Sequence, residues 1–378
     1  MTYKVIKGFT GRIGKKIVRM VAEHPDMEFV GGLVYHPEKD GMDLGELAGI
    51  APLGVKATSD LDAICAMEAD VVLLNNSQHD WELIAKLLRS GKNIVTNNGA
   101  FYVRHQPERE LLESACQEGR SSIIGTGNTP GLINECVPLF MTGFSVDVRR
   151  IFCKEATYPL TFFMAGDAAA QSGGEAVGLG LPFHPSMTST ESALARSYHW
   201  FYEQPAHLVA NAFGFEFDRC ACTDVKIGVV QNDTYVPELD YTFRAGTVGG
   251  WRTQHTGFVK GEPWYTYECE NVWVLGLEGM RSAADEPEFT CEIHGTPSLK
   301  MALSTTPLGG LRSSENVLEI NAVRMVNLVP FIVGAAPGCR SILGAPFDIN
   351  SWARVAGQQR LRARFEKDGV GIPWVLGL

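Results

Sequence analysis

Three glycines stand at the first turn of the chain, between a short apolar segment and a stretch with helical character, in the run Gly8-Phe9-Thr10-Gly11-Arg12-Ile13-Gly14. Glycines at this spacing let a backbone turn tightly, approach a pyrophosphate and pack a helix closely on a strand. The N-terminus of that helix then binds phosphate. We therefore predict a dinucleotide site rather than an ordinary tight turn. Its predicted cofactor contacts in this turn are Gly8, Thr10, Gly11, Arg12, Ile13 and Gly14.

The residues after the second predicted strand bear on the choice of cofactor. NAD enzymes usually place an acidic residue at the end of that strand, where it binds the ribose diol. Here Tyr35 follows the strand, and Glu38 lies beyond a proline. Arg12, His36 and Lys39 offer positive or titratable groups for a 2′-phosphate. The sequence therefore favours NADP(H), with NAD(H) as the alternative.

Polar side chains follow the fourth and fifth predicted strands, where a nicotinamide ribose would lie. Asn76, Ser77 and Asn98 are the predicted cofactor contacts there. The predicted catalytic residues, which would donate a proton or orient the substrate, are Tyr102, His79, Asn128 and Tyr158.

Each catalytic candidate except Asn128 also has a purely structural interpretation. Tyr102 beside Phe101 could wall a pocket, His79 could cap a helix that begins near Asp80, and Tyr158 could be a buried sheet tyrosine. His105 is either a proton relay or an exposed histidine at a helix start. These alternatives stay open at the level of sequence.

The elements that must position these residues alternate between strand and helix through the first third of the chain. Predicted strands after the first are Glu28–Tyr35, Val55–Ala57, Ala69–Leu74, Asn93–Thr96 and Ser122–Gly125, and predicted helices are Asp60–Met67, Trp81–Ser90 and Pro107–Glu118. This alternation predicts an α/β, Rossmann-type, doubly wound parallel sheet, with ligands bound beyond the carboxyl ends of the strands.

From about residue 150 the pattern changes to β-rich stretches, which predict a second, α+β domain with a mostly antiparallel sheet. A segment rich in glycine and alanine, Ala165–Gly180, is predicted to be a loop, either a lid or a surface insertion. Helical periodicity over 314–333 predicts a long helix that returns to the first domain. The predicted domains are 1–135 for the nucleotide, 136–313 for substrate and oligomerisation, and 314–378 for the returning helix and tail, with the active site expected in the cleft.

The composition and net charge of the chain restrict the classes of partner that it is expected to bind. The chain has 378 residues and a net charge of −10, which gives a nucleic acid or an acidic membrane no electrostatic support. No signal peptide and no apolar run approaching a membrane span are recognised. Nine scattered cysteines indicate reduced thiols, and the pair Cys220 and Cys222 lacks the further ligands of a zinc site, so we predict no metal. We expect a cytoplasmic enzyme of a small molecule, forming a homodimer or higher homo-oligomer.

Several of these motifs, taken in order, resemble one family, the NAD(P)-dependent amine dehydrogenases that include 2,4-diaminopentanoate dehydrogenase and share a nucleotide domain with dihydrodipicolinate reductase. The motifs are Gly8–Gly14, Lys39–Glu46, Gly125–Gly131, Val326–Pro330 and Ala336–Gly338. The resemblance implies a Rossmann domain, a sheet-bearing second domain, and hydride transfer from C4 of the nicotinamide to a carbonyl or imine carbon.

The chain departs from that family after the fifth strand. The family places a glutamate there, which activates water or ammonia, whereas here Thr96 is followed by Asn97-Asn98-Gly99-Ala100-Phe101-Tyr102. We therefore predict an NAD(P)H-dependent oxidoreductase that acts on a ketone or imine carbon of a small apolar substrate, or on an alcohol or amine in reverse. The alternatives are a true amine dehydrogenase with another base, such as Glu155 or His79, and an NADP sensor without turnover.

Overall fold

The computed structural model describes residues 2–75, 80–158, 178–283, 286–305 and 313–345. The chain divides into two compact units. Unit 1 comprises Met1–Ala100, Pro107–Ile124 and Asn321–Leu378, and unit 2 comprises Phe101–Gln106 and Gly125–Ile320. Most of the predicted loop Ala165–Gly180 lies outside the described residues.

Unit 1 is built on a parallel seven-stranded sheet with the order β15-β6-β5-β4-β1-β2-β3. Its strands are β1 Tyr3–Gly8, β2 Met27–Leu33, β3 Ala57–Thr58, β4 Val71–Leu74, β5 Asn93–Thr96, β6 Ser122–Gly125 and β15 Gly338–Arg340. Its first five helices are α1 Arg12–Ala22, α2 Leu44–Ala48, α3 Leu61–Ala66, α4 Trp81–Arg89 and α5 Arg109–Gly119. The predicted Rossmann-type sheet is confirmed.

The core of unit 1 forms because its central strands are continuously apolar. Val71 to Leu74 are all fully buried, as expected of a strand covered by helices on both faces. Helix α1 contributes Ile17 and Val21 to the same core, at the four-residue spacing that keeps side chains on one helix face.

The predicted C-terminal helix is present but divided into two, α8 Ser313–Asn327 and α9 Val329–Val333. Pro330 stands at the start of α9, where a helix tolerates a residue without an amide hydrogen. Strand β15, which pairs in parallel with β6, was missed at the sequence level because it is only three residues long.

One stretch in the described residues, Glu315–Val333, is long and apolar enough to cross a membrane, with a mean hydropathy of 1.3. No such stretch was predicted from the sequence alone. Half of it is buried, and Met325, Val329 and Ile332 lie in the same core as the strands of unit 1. Its apolar character is therefore that of a core helix.

Unit 2 contains a six-stranded sheet with the order β14-β13-β7-β12-β11-β8 and a small two-stranded sheet. Its strands are β7 Val146–Thr157, β8 Arg219–Val229, β9 Thr234–Val236, β10 Tyr241–Phe243, β11 Val248–Val259, β12 Glu262–Val272, β13 Phe289–Thr296 and β14 Leu299–Leu303. The pairs of the larger sheet are antiparallel except β12 with β7, so the mostly antiparallel prediction is confirmed.

Unit 2 also contains helices α6 Cys136–Thr142 and α7 Ala193–Ala212. The twenty-residue α7 packs on β8 and β11, and Ser192 caps its N-terminus by accepting a hydrogen bond from the Ala195 amide. Helix α7 was not predicted from the sequence, because its aromatic residues and the internal Pro205 obscure a helical pattern.

Candidate active site

The glycine turn of unit 1 combines two close approaches with one open position. A Cβ on Gly8 would lie 2.6 Å from the Leu74 side chain, and a Cβ on Gly14 would lie 2.4 Å from the Phe9 carbonyl oxygen. A Cβ on Gly11, the N-cap of α1, would meet no atom within 4 Å. Gly8 and Gly14 are therefore needed for packing, while Gly11 faces open space at a helix N-terminus. This arrangement fits a phosphate group.

The other predicted cofactor contacts are distributed around the same edge of the sheet. Arg12 opens α1 and is exposed, as is His36 after β2, whereas Lys39 is half-buried. The His36 Nδ1 lies 3.6 Å from a carboxylate oxygen of Glu38. Asn98, after β5, is buried, and its backbone amide donates a hydrogen bond to the Thr96 hydroxyl at 3.1 Å. Thr10 and Ile13 lie within the turn, whereas Asn76, Ser77 and the catalytic candidate His79 lie outside the described residues.

A buried carboxylate lies on the inner face of the six-stranded sheet in unit 2. Glu155, on β7, is 7% exposed. Its Oε1 accepts a hydrogen bond from the Asn128 side-chain amide at 3.0 Å, and its Oε2 accepts one from the Tyr267 hydroxyl at 3.0 Å. Asn128 belongs to the loop that directly follows β6, and β6 ends at the carboxyl edge of the unit 1 sheet. Glu155 is thus bonded to a loop that the fold associates with ligand binding.

The surroundings of Glu155 shift its titration to neutral pH. Burial raises the pKa of Glu155 to about 7, and hydrogen bonds that favour the carboxylate, including those from Tyr267 and Asn128, keep the pKa from rising further. A carboxyl group with a pKa near the ambient pH can both donate and accept a proton. Among the described side chains, Glu155 therefore has the properties of a general acid and base.

Aromatic rings from α7 cover this face of the sheet. The ring centroid of Tyr202 lies 4.5 Å from that of Tyr267, and the centroid of Tyr198 lies 4.8 Å from that of Trp251. Burial raises the pKa values of Tyr198, Tyr202 and Tyr267 well above the usual value, so these phenols stay protonated at neutral pH. The environment of the carboxyl group is accordingly aromatic and uncharged.

Several buried side-chain polar atoms of β11 have no hydrogen-bond partner among the described residues. They include the Trp251 Nε1, the Thr253 Oγ1 and both ring nitrogens of His255. Thr253 pairs with Cys269, which pairs with Glu155, so the three residues form one cross-strand row. Buried polar groups are normally satisfied, and an orphaned donor beside a candidate acid is consistent with a polar group supplied by a ligand.

The remaining catalytic candidates lie apart from this row. Tyr102 is half-buried, its amide donates to the Gln204 side chain of α7 at 3.0 Å, and its phenol forms a hydrogen bond with Arg104. The ring of His105 lies 4.6 Å from that of His207 between centroids and is tilted by 43° to it, and burial lowers the pKa of His105. Tyr158 is half-buried and directly follows β7. Of the predicted catalytic residues, the structure therefore joins Asn128 directly to Glu155.

From the sequence, Glu155 is predicted only as an alternative base, and Tyr267 is not predicted at all. A signal was present, because Ile151 and Cys153 occupy the preceding inward positions of β7, and Glu155 continues that alternation. A carboxylate in an apolar register is a candidate for a shifted pKa. The partner Tyr267 lies 112 residues away, and only the strand pairing brings the two together.

A cavity of about 360 Å³ in unit 2 contains none of these residues. It lies at the N-terminal end of α7 and is lined in part by Met187, Arg196 and Ile227. In the described parts of the chain, no group of three or more histidine, cysteine, aspartate and glutamate side chains is arranged to hold a metal ion.

Several known proteins are similar in sequence to this chain. Residues 4–129 match the family model of the dihydrodipicolinate reductase N-terminus. An amine dehydrogenase of Streptomyces virginiae is 27% identical over 89% of this chain and 94% of its own length. A 2,4-diaminopentanoate dehydrogenase of Acetoanaerobium sticklandii is 24% identical over 75% of this chain and 76% of its own. The chain is a distant homologue of these dehydrogenases.

A solved structure supports the same fold over both units. An amine dehydrogenase from Mycobacterium smegmatis superimposes with a TM-score of 0.67 and 16% identity, over 90% of this chain and 95% of that chain. At that identity the likeness concerns the fold. The sequence similarity to these dehydrogenases is distant and leaves the substrate as a separate question.

Proposed function

We propose that this protein is an NAD(P)H-dependent oxidoreductase that reduces a ketone or imine carbon, with Glu155 as the group that supplies the proton. The observation that carries the proposal is the buried carboxyl of Glu155, with a pKa of about 7 and a hydrogen bond to Asn128. The glycine turn, with its open position at Gly11, supports binding of a dinucleotide. The absence of an acidic residue directly after β2, together with Arg12, His36 and Lys39, supports a preference for NADP(H).

The proposed chemistry assigns each described side chain one task. When bound, the nicotinamide supplies a hydride from C4 to the substrate carbon. Protonated Glu155 gives its proton to the substrate oxygen or nitrogen as negative charge develops there. The Asn128 amide and the Tyr267 hydroxyl then donate hydrogen bonds to the resulting carboxylate. The reaction consumes one ketone, one reduced cofactor and one proton, and it yields one alcohol and one oxidised cofactor.

The aromatic surroundings support an apolar substrate. Tyr198, Tyr202 and Trp251 offer ring surface and no charge, and burial of an apolar group against such surface is favourable. The Trp251 and Thr253 groups without partners would hydrogen-bond one polar atom of the same molecule.

A second candidate function is reductive amination, in which ammonia first condenses with the ketone. It is favoured by the likeness to amine dehydrogenases and by Glu155 itself. A group that titrates near pH 7 can protonate the hydroxyl of the carbinolamine as water leaves, and can accept the proton released by nitrogen. In this reaction Glu155 takes the place of the glutamate that the related family carries after the fifth strand.

The two candidates are separated by one screen. Oxidation of NADPH and NADH is followed with a panel of apolar ketones of increasing size, each with and without ammonium chloride. Turnover without ammonium supports ketone reduction, and turnover only with ammonium supports reductive amination. Tight cofactor binding without turnover on any member of the panel would contradict both and favour a sensor.

The carboxyl group itself is tested with Glu155→Gln and a matched control, Glu262→Gln, an exposed glutamate of the same sheet. We expect the first variant to lose turnover and the second to retain it. Equal turnover in the two variants would remove Glu155 from the proposal.

A further inference from the structure

A lysine lies fully buried beneath the glycine turn of unit 1. Lys7, on β1, directly precedes Gly8 and has no exposed surface. Its ammonium donates to the Leu73 carbonyl oxygen and to the Asn75 Oδ1, each at 2.7 Å, and also to the Gly8 carbonyl oxygen. These groups lie at the carboxyl ends of β1 and β4, the edge where the turn begins.

The contacts of Lys7 are those of a charged ammonium. Three acceptors surround one nitrogen, and only the protonated amine has three N–H groups to donate. All three acceptors are uncharged. A buried cation that is matched only by neutral oxygens is held at a cost in free energy, because burial removes its hydration and no anion replaces it.

The side chain of Lys7 lies next to the glycine turn. A Cβ on Gly14, in the first turn of α1, would lie 3.2 Å from the Lys7 Cε. The lysine side chain therefore passes directly below the segment that connects β1 to α1. The Asn75 side chain that accepts from Lys7 also donates to the Asn97 Oδ1 at 2.8 Å, so the same network reaches the end of β5.

Among the residues that the structure describes, no neighbouring charge offsets this burial. Burial alone lowers the pKa of Lys7 well below its ordinary value, and no side chain of an adjacent element contributes to the shift. The charged residues of those elements are Arg12, Lys15, Lys16 and Arg19 on α1 and Glu28 on β2. The hydrogen-bond geometry thus favours the ammonium of Lys7, whereas burial favours the neutral amine.

We propose that Lys7 is the buried positive charge that recognises the pyrophosphate of the dinucleotide through the glycine turn, and that binding of the cofactor is coupled to protonation of Lys7. This inference rests on the proposed function, since it presumes a dinucleotide at the turn. The pyrophosphate supplies the negative charge that the neutral acceptors around Lys7 do not. Coulomb attraction in a poorly hydrated site is strong. Lys7 acts on the phosphates without contacting them, so it is a positioning residue rather than a catalytic one.

The direction of the coupling between cofactor binding and protonation of Lys7 follows from the charges. A bound anion stabilises the ammonium, so cofactor binding takes up a proton whenever part of the free protein carries neutral Lys7. The affinity for the cofactor then falls as the pH rises through the pKa that Lys7 has in the free protein. A lysine with a purely structural role would give neither effect.

The test uses the full chain, NADPH and isothermal titration calorimetry between pH 7 and 9.5. Titration in buffers of different ionisation enthalpy gives the number of protons taken up on binding. The variant is Lys7→Met, which keeps most of the length of the unbranched side chain and removes its charge. The matched control is Lys92→Met. Lys92 is a second buried lysine of unit 1, whose ammonium donates to the Cys65 carbonyl and the Ser90 hydroxyl before β5 begins.

We expect the wild-type protein and Lys92→Met to take up a fraction of a proton per cofactor, and Lys7→Met to take up none and to bind at least about tenfold more weakly at pH 7, the scale of one lost charge interaction. Equal affinity and equal proton uptake in Lys7→Met and the wild type would overturn the inference while leaving the proposed function intact. Failure of the wild type to bind NADPH or NADH would instead refute the proposed function. If circular dichroism shows that Lys7→Met does not fold, the wild-type titration alone still tests the inference. Absence of proton uptake by the wild type from pH 7 to 9.5 would contradict the coupling.

Discussion

The side-chain amide of Asn128 donates a hydrogen bond to the carboxylate of Glu155 over 3.0 Å, and both groups are buried. Asn128 follows β6 by three residues, and Glu155 lies near the end of β7. The bond therefore lies within unit 2 and links the segment that follows β6 to strand β7. It also holds Glu155 where burial raises its pKa to about 7.

Replacement of Glu155 by glutamine is expected to lower kcat by about 10²- to 10⁴-fold, the usual contribution of a general acid. Glutamine keeps the acceptor for Asn128 but cannot release a proton. The dissociation constant of the cofactor should stay unchanged. In the wild type, kcat/KM for reduction should fall as the pH rises through about 7, because the acid must be protonated. Steady-state kinetics from pH 5.5 to 8.5 provide the measurement, and a residual profile with the same midpoint in the variant would assign the titration to another group.

Replacement of Glu155 by glutamine is expected to lower activity but to raise the free energy of unfolding at pH 8. The pKa of Glu155 rises from 4.5 to about 7 on folding, so the folded protein binds more protons than the unfolded chain between these values. The wild type should therefore lose up to about 3 kcal/mol of unfolding free energy as the pH rises from 4.5 to 7. Glu155→Gln should lack this loss and be more stable than the wild type at pH 8. Denaturant unfolding at pH 5 and pH 8 measures the difference, and a variant less stable at pH 8 would contradict it.

The glycines of the turn should fall into two classes. Gly14→Ala places a Cβ against the Phe9 carbonyl and should cost about 1–3 kcal/mol of stability, the range for overpacking. Gly11→Asp meets open space, so it should leave the melting temperature unchanged but abolish NADPH binding by adding negative charge where the phosphates bind. Gly11→Asn, of the same size and neutral, is the control. Thermal unfolding and fluorescence titration distinguish the classes, and unchanged NADPH affinity in Gly11→Asp would refute the assigned site.

Tyr102→Phe is expected to retain turnover within about threefold, whereas removal of an essential acid costs about a hundredfold or more. The phenol of Tyr102 interacts with Arg104, and its backbone amide bonds to Gln204, so the residue is held by contacts that do not involve Glu155. Comparison of kcat with the wild type is the measurement. A loss as large as that of Glu155→Gln would restore Tyr102 as the proton donor.

Part of the site was predictable from local patterns. The glycine turn was predicted correctly as the connection from β1 to α1, because a strand, three glycines and a helix succeed one another within 22 residues. The placement of Asn128 in the loop after β6 followed from the same reasoning about strand ends. Strand and helix periodicity is a local property, and the sequence displays it directly.

Other features depended on contacts between distant residues. Tyr267 reaches Glu155 only because β12 pairs with β7, and Lys7 reaches Asn75 only because β1 pairs with β4. Helix α7 was missed because Pro205 and a series of aromatic residues hide its period, while packing on β8 and β11 stabilises it. Such pairings are set by the burial of whole strands rather than by the residues that later form the site.

The sequence by itself determined the alternation of strands and helices, the glycine turn and the absence of a carboxylate directly after β5. The tertiary structure alone decided which carboxyl group has a pKa near neutral pH. Glu155 acquires that property from burial and from partners that lie 27 and 112 residues away. The free energy of a charge depends on the solvent and the dipoles around it, and these are set only when the strands come together.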